Sequence, residues 1–117
     1  MSDIQAHIEA VEVGYEFLLA YAAQGLEDDD HNRPGPFARD TLETMVGALD
    51  GLAETIDANG PAFNQVILND LPKARAAIAL VLDATKISSE SVDNLNASIH
   101  LRTVLTDLFI LADALAD

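Results

Sequence analysis

The chain has 117 residues and carries 20 Asp and Glu against six Lys and Arg, a net charge of −14. Half of its residues are hydrophobic, which is typical of one globular domain over residues 1–117 and excludes a disordered chain. The charge argues against direct binding to nucleic acid or to an anionic membrane, because both need a positive surface. Since cysteine is absent, disulfides, thiol catalysis and iron–sulfur clusters are excluded as well.

The amino-terminal residues lack the basic head and apolar run of a secretion signal. The longest uninterrupted apolar run covers residues 76–82, whereas spanning a bilayer takes about 20 residues. We therefore expect a cytoplasmic protein.

The first predicted helix covers about residues 2–24. Its apolar residues recur in steps of four and three, typical of one buried helix face: Ile4, Ile8, Val11, Tyr15, Leu18 and Ala22. Gly25 suits the end of this helix, because glycine adopts the left-handed conformation at little cost. A polar connection follows over residues 26–36, where two prolines around a glycine oppose regular helix.

The second predicted helix covers about residues 37–58 and has two distinct faces. The inward face holds Ala38, Leu42, Met45, Leu49, Leu52 and Ile56. The outward face is acidic and holds Asp40, Glu43, Asp50, Glu54 and Asp57. Asn59 and Gly60, followed by a proline, predict a left-handed residue pair that closes the helix.

The third predicted helix begins near residue 61 and is the least regular. Pro72 removes a backbone donor and crowds the preceding turn, so it predicts either a kink or two pieces, the second capped by Asp70. A single helix kinked near Pro72 is the preferred interpretation. Residues 76–82 are apolar all round, which is typical of a helix buried on more than one side.

The fourth predicted helix takes residues 88–117, with Ser88 or Ser89 as its N-cap. Its inward line consists of Ala97, Leu101, Val104, Leu108, Leu111 and Leu115. A second apolar line runs beside the first and consists of Leu105, Phe109, Ala112 and Ala116. Ile110 lies on the side expected to face water.

Four helices joined by short turns and one longer loop predict an all-α, up-down-up-down four-helix bundle. The last helix offers more apolar surface than one neighbouring helix can cover. Because one surface serves both subunits in a twofold pairing, this excess predicts a homodimer. The predicted interface consists of Leu105, Phe109, Ile110 and Ala112.

We expect no metal site and no cofactor. Neither His7 nor His100 has a Glu or His at the spacing that helical metal sites use, and Met45 fits a core position better than a haem ligand. The run Asp28-Asp29-Asp30-His31 is the one cluster of ligand-type groups, but its spacing differs from that of a calcium loop. A solvated acidic loop is preferred over a weak metal site.

The sequence contains no phosphate-binding glycine loop and no Gly-x-Ser-x-Gly motif, so it indicates no enzyme class. The preferred function is that of a non-enzymatic accessory, assembly or regulatory factor that acts through protein–protein interaction. The alternative is an acidic nucleic-acid mimic or immunity-type inhibitor of a basic partner. A third and weaker interpretation is a bundle that binds a small apolar ligand between its helices.

Overall fold

Five α-helices build the fold in a computed structural model that describes residues 3–28, 35 and 37–116. In chain order they are α1 (Asp3–Ala23), α2 (Ala38–Thr55), α3 (Ala62–Leu82), α4 (Ser89–Asn96) and α5 (Ile99–Ala116). No strand occurs among the described residues, so the prediction of an all-α fold is confirmed. None of these helices combines the length and apolar character needed to cross a bilayer.

The hydrophobic core lies between the helices and uses most of the positions that the periodicity predicts, but Leu115, predicted to face inward near the end of α5, is 42% exposed. All six residues predicted to face inward on α2 are buried. α1 contributes Ile8, Val11 and Leu18, and α3 contributes four buried residues of its own. Leu108 of α5 is fully buried among them.

The helices α1 and α2 end in different ways. Gly25 has a φ of 67°, and the N–H of Leu26 donates to the carbonyl of Tyr21, the pattern of a helix closed by a left-handed glycine. The predicted left-handed pair at Asn59 and Gly60 is wrong, because Gly25 alone among the described residues has a positive φ. There the chain leaves α2 through extended backbone.

The helix α3 runs without interruption from Ala62 to Leu82 with Pro72 inside it, so the alternative of two pieces is wrong. A kink at Pro72 stays a prediction. The apolar stretch 76–82 is not buried on every side: Ile78 is buried, whereas Leu80 is 74% exposed. α3 therefore presents apolar surface to solvent near its end.

The predicted fourth helix is two helices, and this is the main correction to the four-helix bundle. α4 ends at Asn96, and Ser98 begins the next helix: its hydroxyl accepts the N–H of His100 at 3.2 Å and its carbonyl accepts that of Arg102. Serine is a common N-cap because its hydroxyl accepts a backbone N–H that has no partner within the first turn. Ser98 therefore marks the start of a new helix. Ala97, predicted to lie in the core, is exposed as a result.

The break allows α4 and α5 to cover different parts of α1. α4 lies against the later turns of α1, where the Asn96 amide donates to the Leu18 carbonyl at 3.1 Å. α5 packs against α3 and, through Ala112, reaches the earlier turns of α1 near Ile8. α2 contacts both α1 and α3. Ser88 caps α4, as predicted, by accepting the N–H of Ser91 at 3.1 Å.

Candidate functional site

The structure places the four residues of the predicted interface in different environments. Leu105 is 4% exposed and belongs to the core, so it offers no surface to a second chain. Ala112 is half-buried beside α1. Phe109 and Ile110 are each 51% exposed. Two of the four residues therefore present large apolar groups to solvent.

The outer side of α5 carries another exposed apolar residue, which does not belong to the predicted interface. Ile99 begins α5 and is 72% exposed. Steps of four, three and four lead from it along one side of the helix, opposite the buried side. We call these residues the outer line: Ile99, Thr103, Thr106 and Ile110. Two threonines lie between its isoleucines, so the periodicity of apolar residues in the sequence does not show this line.

A shallow groove follows the outer line on the surface of α5. Arg102 and Asp107 line it together with Ile99 and the two threonines of the outer line. The Thr106 hydroxyl donates to the Arg102 carbonyl within the helix at 3.0 Å. The outer line therefore has a hydrophobic residue at each end and small hydroxyl-bearing residues between them.

A buried carboxyl group lies at one edge of this groove. Asp107 is 6% exposed, and its Oδ2 atom has no hydrogen-bond partner among the described residues. Burial, together with the hydrogen bond and the negative charge of Asp70 on α3, raises the pKa of Asp107 to about 7. Periodicity along α5 does not show that α3 covers this side of the helix, so the sequence does not reveal the buried pair.

Other polar side chains lie close to the carboxyl pair. Lys73 Nζ lies 3.8 Å from Asp70 Oδ1, and both residues line a small pocket with His100 and Thr103. A perturbed carboxyl in a cleft is a feature of many catalytic acids. However, within the described residues no side-chain hydrogen bond joins His100 to Thr103 or to either carboxylate. The pair can therefore hold a proton near neutral pH.

Four of the five carboxylates of the predicted acidic face are exposed to solvent. Its exposed carboxylates are those of Asp40, Glu43, Glu54 and Asp57. Asp50 instead receives Arg75 of α3, whose Nε and Nη2 donate to its two oxygens at 2.6 and 3.2 Å. These hydrogen bonds from Arg75 lower the pKa of Asp50. Asp50 therefore links two helices.

Asp28, the first residue of the predicted acidic run, has a structural role. Its Oδ1 accepts hydrogen bonds from the Tyr21 hydroxyl and from the N–H of Ala38, both at 2.7 Å. Its Oδ2 accepts the N–H of Arg39 at 2.8 Å. The carboxylate thereby caps the start of α2, where a negative charge is also favoured by the helix dipole.

The rest of that run, Asp29 to His31, lies outside the described residues. Within the described part of the chain, no group of three or more His, Asp or Glu side chains is placed to hold a metal ion. Arg39 extends the Asp28 contacts to a third helix, because its guanidinium donates to the carbonyls of Leu82 and Ala84 at 2.8 and 2.7 Å. The contacts of Asp28 and Arg39 therefore join the end of α1, the start of α2 and the end of α3.

Comparisons of the chain with models of known protein families, with curated proteins and with solved structures found no match.

Proposed function

We propose that this protein acts by binding protein chains, including a second copy of itself, and not by catalysis. It would serve as a small acidic accessory, assembly or regulatory factor whose contact surface is the outer side of α5. The observation that best supports this is the exposure of Phe109 and Ile110, adjacent large apolar residues that are each 51% exposed. Apolar surface grouped on one helix face is typical of a contact surface, and a twofold pairing covers it on both subunits.

The proposal includes the arrangement of the helices. The four long helices α1, α2, α3 and α5 would run up-down-up-down, with the short α4 inserted before the last and α3 kinked at Pro72. The contacts of α1 with α2, α2 with α3 and α3 with α5 support this order. It leaves the outer side of α5 without a neighbouring helix of the same chain.

The dimer is tested by sedimentation equilibrium from micromolar to submillimolar concentration. We expect the wild type to dimerise and Phe109→Glu or Ile110→Glu to shift it to folded monomers, because a charge buried in an apolar contact loses its hydration. Val13→Glu is the matched control, since Val13 is 57% exposed on α1. Circular dichroism would check that each variant folds.

A wild type that stays monomeric over the whole range would contradict the proposed self-association. A dimer that Val13→Glu splits as readily as Ile110→Glu would place the contact elsewhere.

The second candidate is an acidic mimic or immunity-type inhibitor that blocks a basic partner. The exposed carboxylates of Asp40, Glu43 and Glu54 on α2, and of Asp57 just beyond its end, support it. The two functions differ in their response to salt. A complex held by the α2 carboxylates should weaken steeply as ionic strength rises, whereas dimerisation through apolar residues of α5 should change little. Replacing the four carboxylates by their amides should abolish the first complex and leave the dimer intact.

A further inference from the structure

We propose that the second copy packs antiparallel along the outer line, so that Ile99 of one chain meets Ile110 of the other and Thr103 meets Thr106. The twofold axis would pass between the levels of Val104 and Leu105. This inference rests on the proposed self-association and adds the contact residues, their register and the direction of the partner helix.

The outer line is complementary to itself when it is reversed. Its spacing of four, three and four residues is the same in both directions, with isoleucine at both ends and threonine at both inner positions. An antiparallel twofold axis therefore places a large apolar residue against a large apolar residue and a threonine against a threonine. Residues at these spacings form the contact stripe of paired helices. The exposure of Ile99 (72%) and Ile110 (51%) shows that both ends are available.

The edges of the outer line also match in this arrangement. Arg102 and Phe109 are seven residues apart and lie on one edge, and both are exposed. In an antiparallel twofold pair like edges meet, which brings Arg102 within about 3 Å, measured along the axis, of the level of the partner's Phe109. A guanidinium over an aromatic face is an attractive contact, and the symmetry makes it twice.

The charges along α5 favour the antiparallel direction over the parallel one. The first turns of the helix carry the exposed His100 and Arg102, and its last turns carry the exposed Asp113, whereas Asp107 is buried. A parallel pair would set the first turns of the two helices side by side and would bring the two Asp113 residues to the same level. Antiparallel packing places the basic half of each helix against the acidic half of the other. Electrostatic complementarity of this kind fixes register and direction.

The size of the contact sets its expected strength. Stable complexes bury about 1,200–2,000 Å² in total, and a contact along one face of a single 18-residue helix is smaller. We therefore expect a reversible dimer that needs a high protein concentration, which is why the test uses cross-linking.

The absence of cysteine in the chain makes single cysteines unambiguous reporters. Ile99→Cys and Ile110→Cys proteins would be oxidised separately and as a mixture. In the antiparallel register the two cysteines of the mixture face each other. Identical cysteines lie eleven residues apart along the axis, about 16 Å, and a disulfide needs Cα atoms within about 7 Å. We expect a rapid covalent dimer in the mixture and only the collision rate of Val13→Cys in either protein alone.

A second measurement avoids oxidation. Thr106→Leu adds apolar surface at the centre of the contact in both subunits and should tighten the dimer roughly tenfold. Thr44→Leu is its matched control, because the Thr44 hydroxyl on α2 likewise donates to the carbonyl four residues earlier, at 3.0 Å.

The possible outcomes separate the proposed self-association from the proposed antiparallel register. Rapid cross-linking of each cysteine protein alone would show a parallel pair and overturn the register proposed here. A dimer in sedimentation with neither pattern of cross-linking, and with no response to Thr106→Leu, would keep the self-association but move it away from the outer line. A monomer at every concentration would overturn both.

Discussion

A buried carboxyl group beside another carboxylate makes the stability of this protein depend on pH near neutrality. Burial and the neighbouring Asp70 raise the pKa of Asp107 to about 7, whereas an aspartate in an unfolded chain has a pKa of about 3.9. Between these two values the folded protein holds a proton that the unfolded chain has released. Because the folded state binds more protons there, the free energy of unfolding falls as pH rises through this range. The other titratable side chains in the grooves around Asp70 and Asp107 are those of Lys73, His100 and Arg102.

We predict that the free energy of unfolding of the wild type decreases between about pH 5 and 7 with a slope of up to 1.4 kcal/mol per pH unit. Asp107→Asn should reduce this slope and make the protein more stable than the wild type at pH 8, since the amide cannot ionise. Denaturant unfolding across the pH range measures both effects. Asp113→Asn, an exposed position on the same helix, should keep the slope of the wild type. An Asp107→Asn protein with an unchanged slope would assign the proton to another group.

At the scale of the elements, α1 and α2 approach each other closely at glycines. A Cβ built on Gly14 would lie 2.6 Å from Cγ of Met45 and 2.7 Å from its Sδ, so the Met45 side chain fills the space that this glycine leaves. The His7 side chain occupies the same kind of space at Gly51. Periodicity correctly predicted that Met45 faces inward, but it did not predict the contact, because a glycine within a helix gives no signal of what lies against it.

We predict opposite effects for two glycine substitutions in these helices. Gly14→Ala should destabilise the protein by about 1–3 kcal/mol, because the added methyl group overlaps the buried Met45. Gly47→Ala on α2 should stabilise it by about 0.5–1 kcal/mol, since a Cβ there meets nothing within 4 Å and alanine favours the helix. Denaturant unfolding of both variants gives the comparison. Equal stabilities would contradict the close approach of α1 and α2.

At the scale of the whole molecule, the periodic pattern predicted the helix class and the buried faces but not the number of helices. No glycine or proline lies within residues 88–117, and the predicted inward line begins at Ala97, beside the break, so one helix was the natural interpretation. Ser98 indicated a break, because serine is a common N-cap, but a single serine also occurs within helices. Whether Leu105 faces the core and Asp107 lies under α3 depends on how neighbouring helices are placed. The pattern of apolar residues along one helix does not show where the neighbouring helices lie.

The contacts of Asp28 and Arg39 have a consequence for local opening of the molecule. Amide hydrogens in the first turn of a helix have no carbonyl partner within it and exchange readily with solvent deuterium. Here the amides of Ala38 and Arg39 are bonded to Asp28, and the Arg39 side chain holds the carbonyl of Leu82 at the end of α3.

Asp28→Ala should therefore accelerate deuterium uptake at the start of α2 and at the end of α3 together, while amides around Leu108 keep their protection. Hydrogen exchange read by mass spectrometry or NMR measures this directly. Faster uptake confined to α2 would mean that the two helix ends open independently. Joint uptake would mean that one carboxylate, 10 residues from the first amide that it caps, makes this end of the molecule open and close as one cooperative unit.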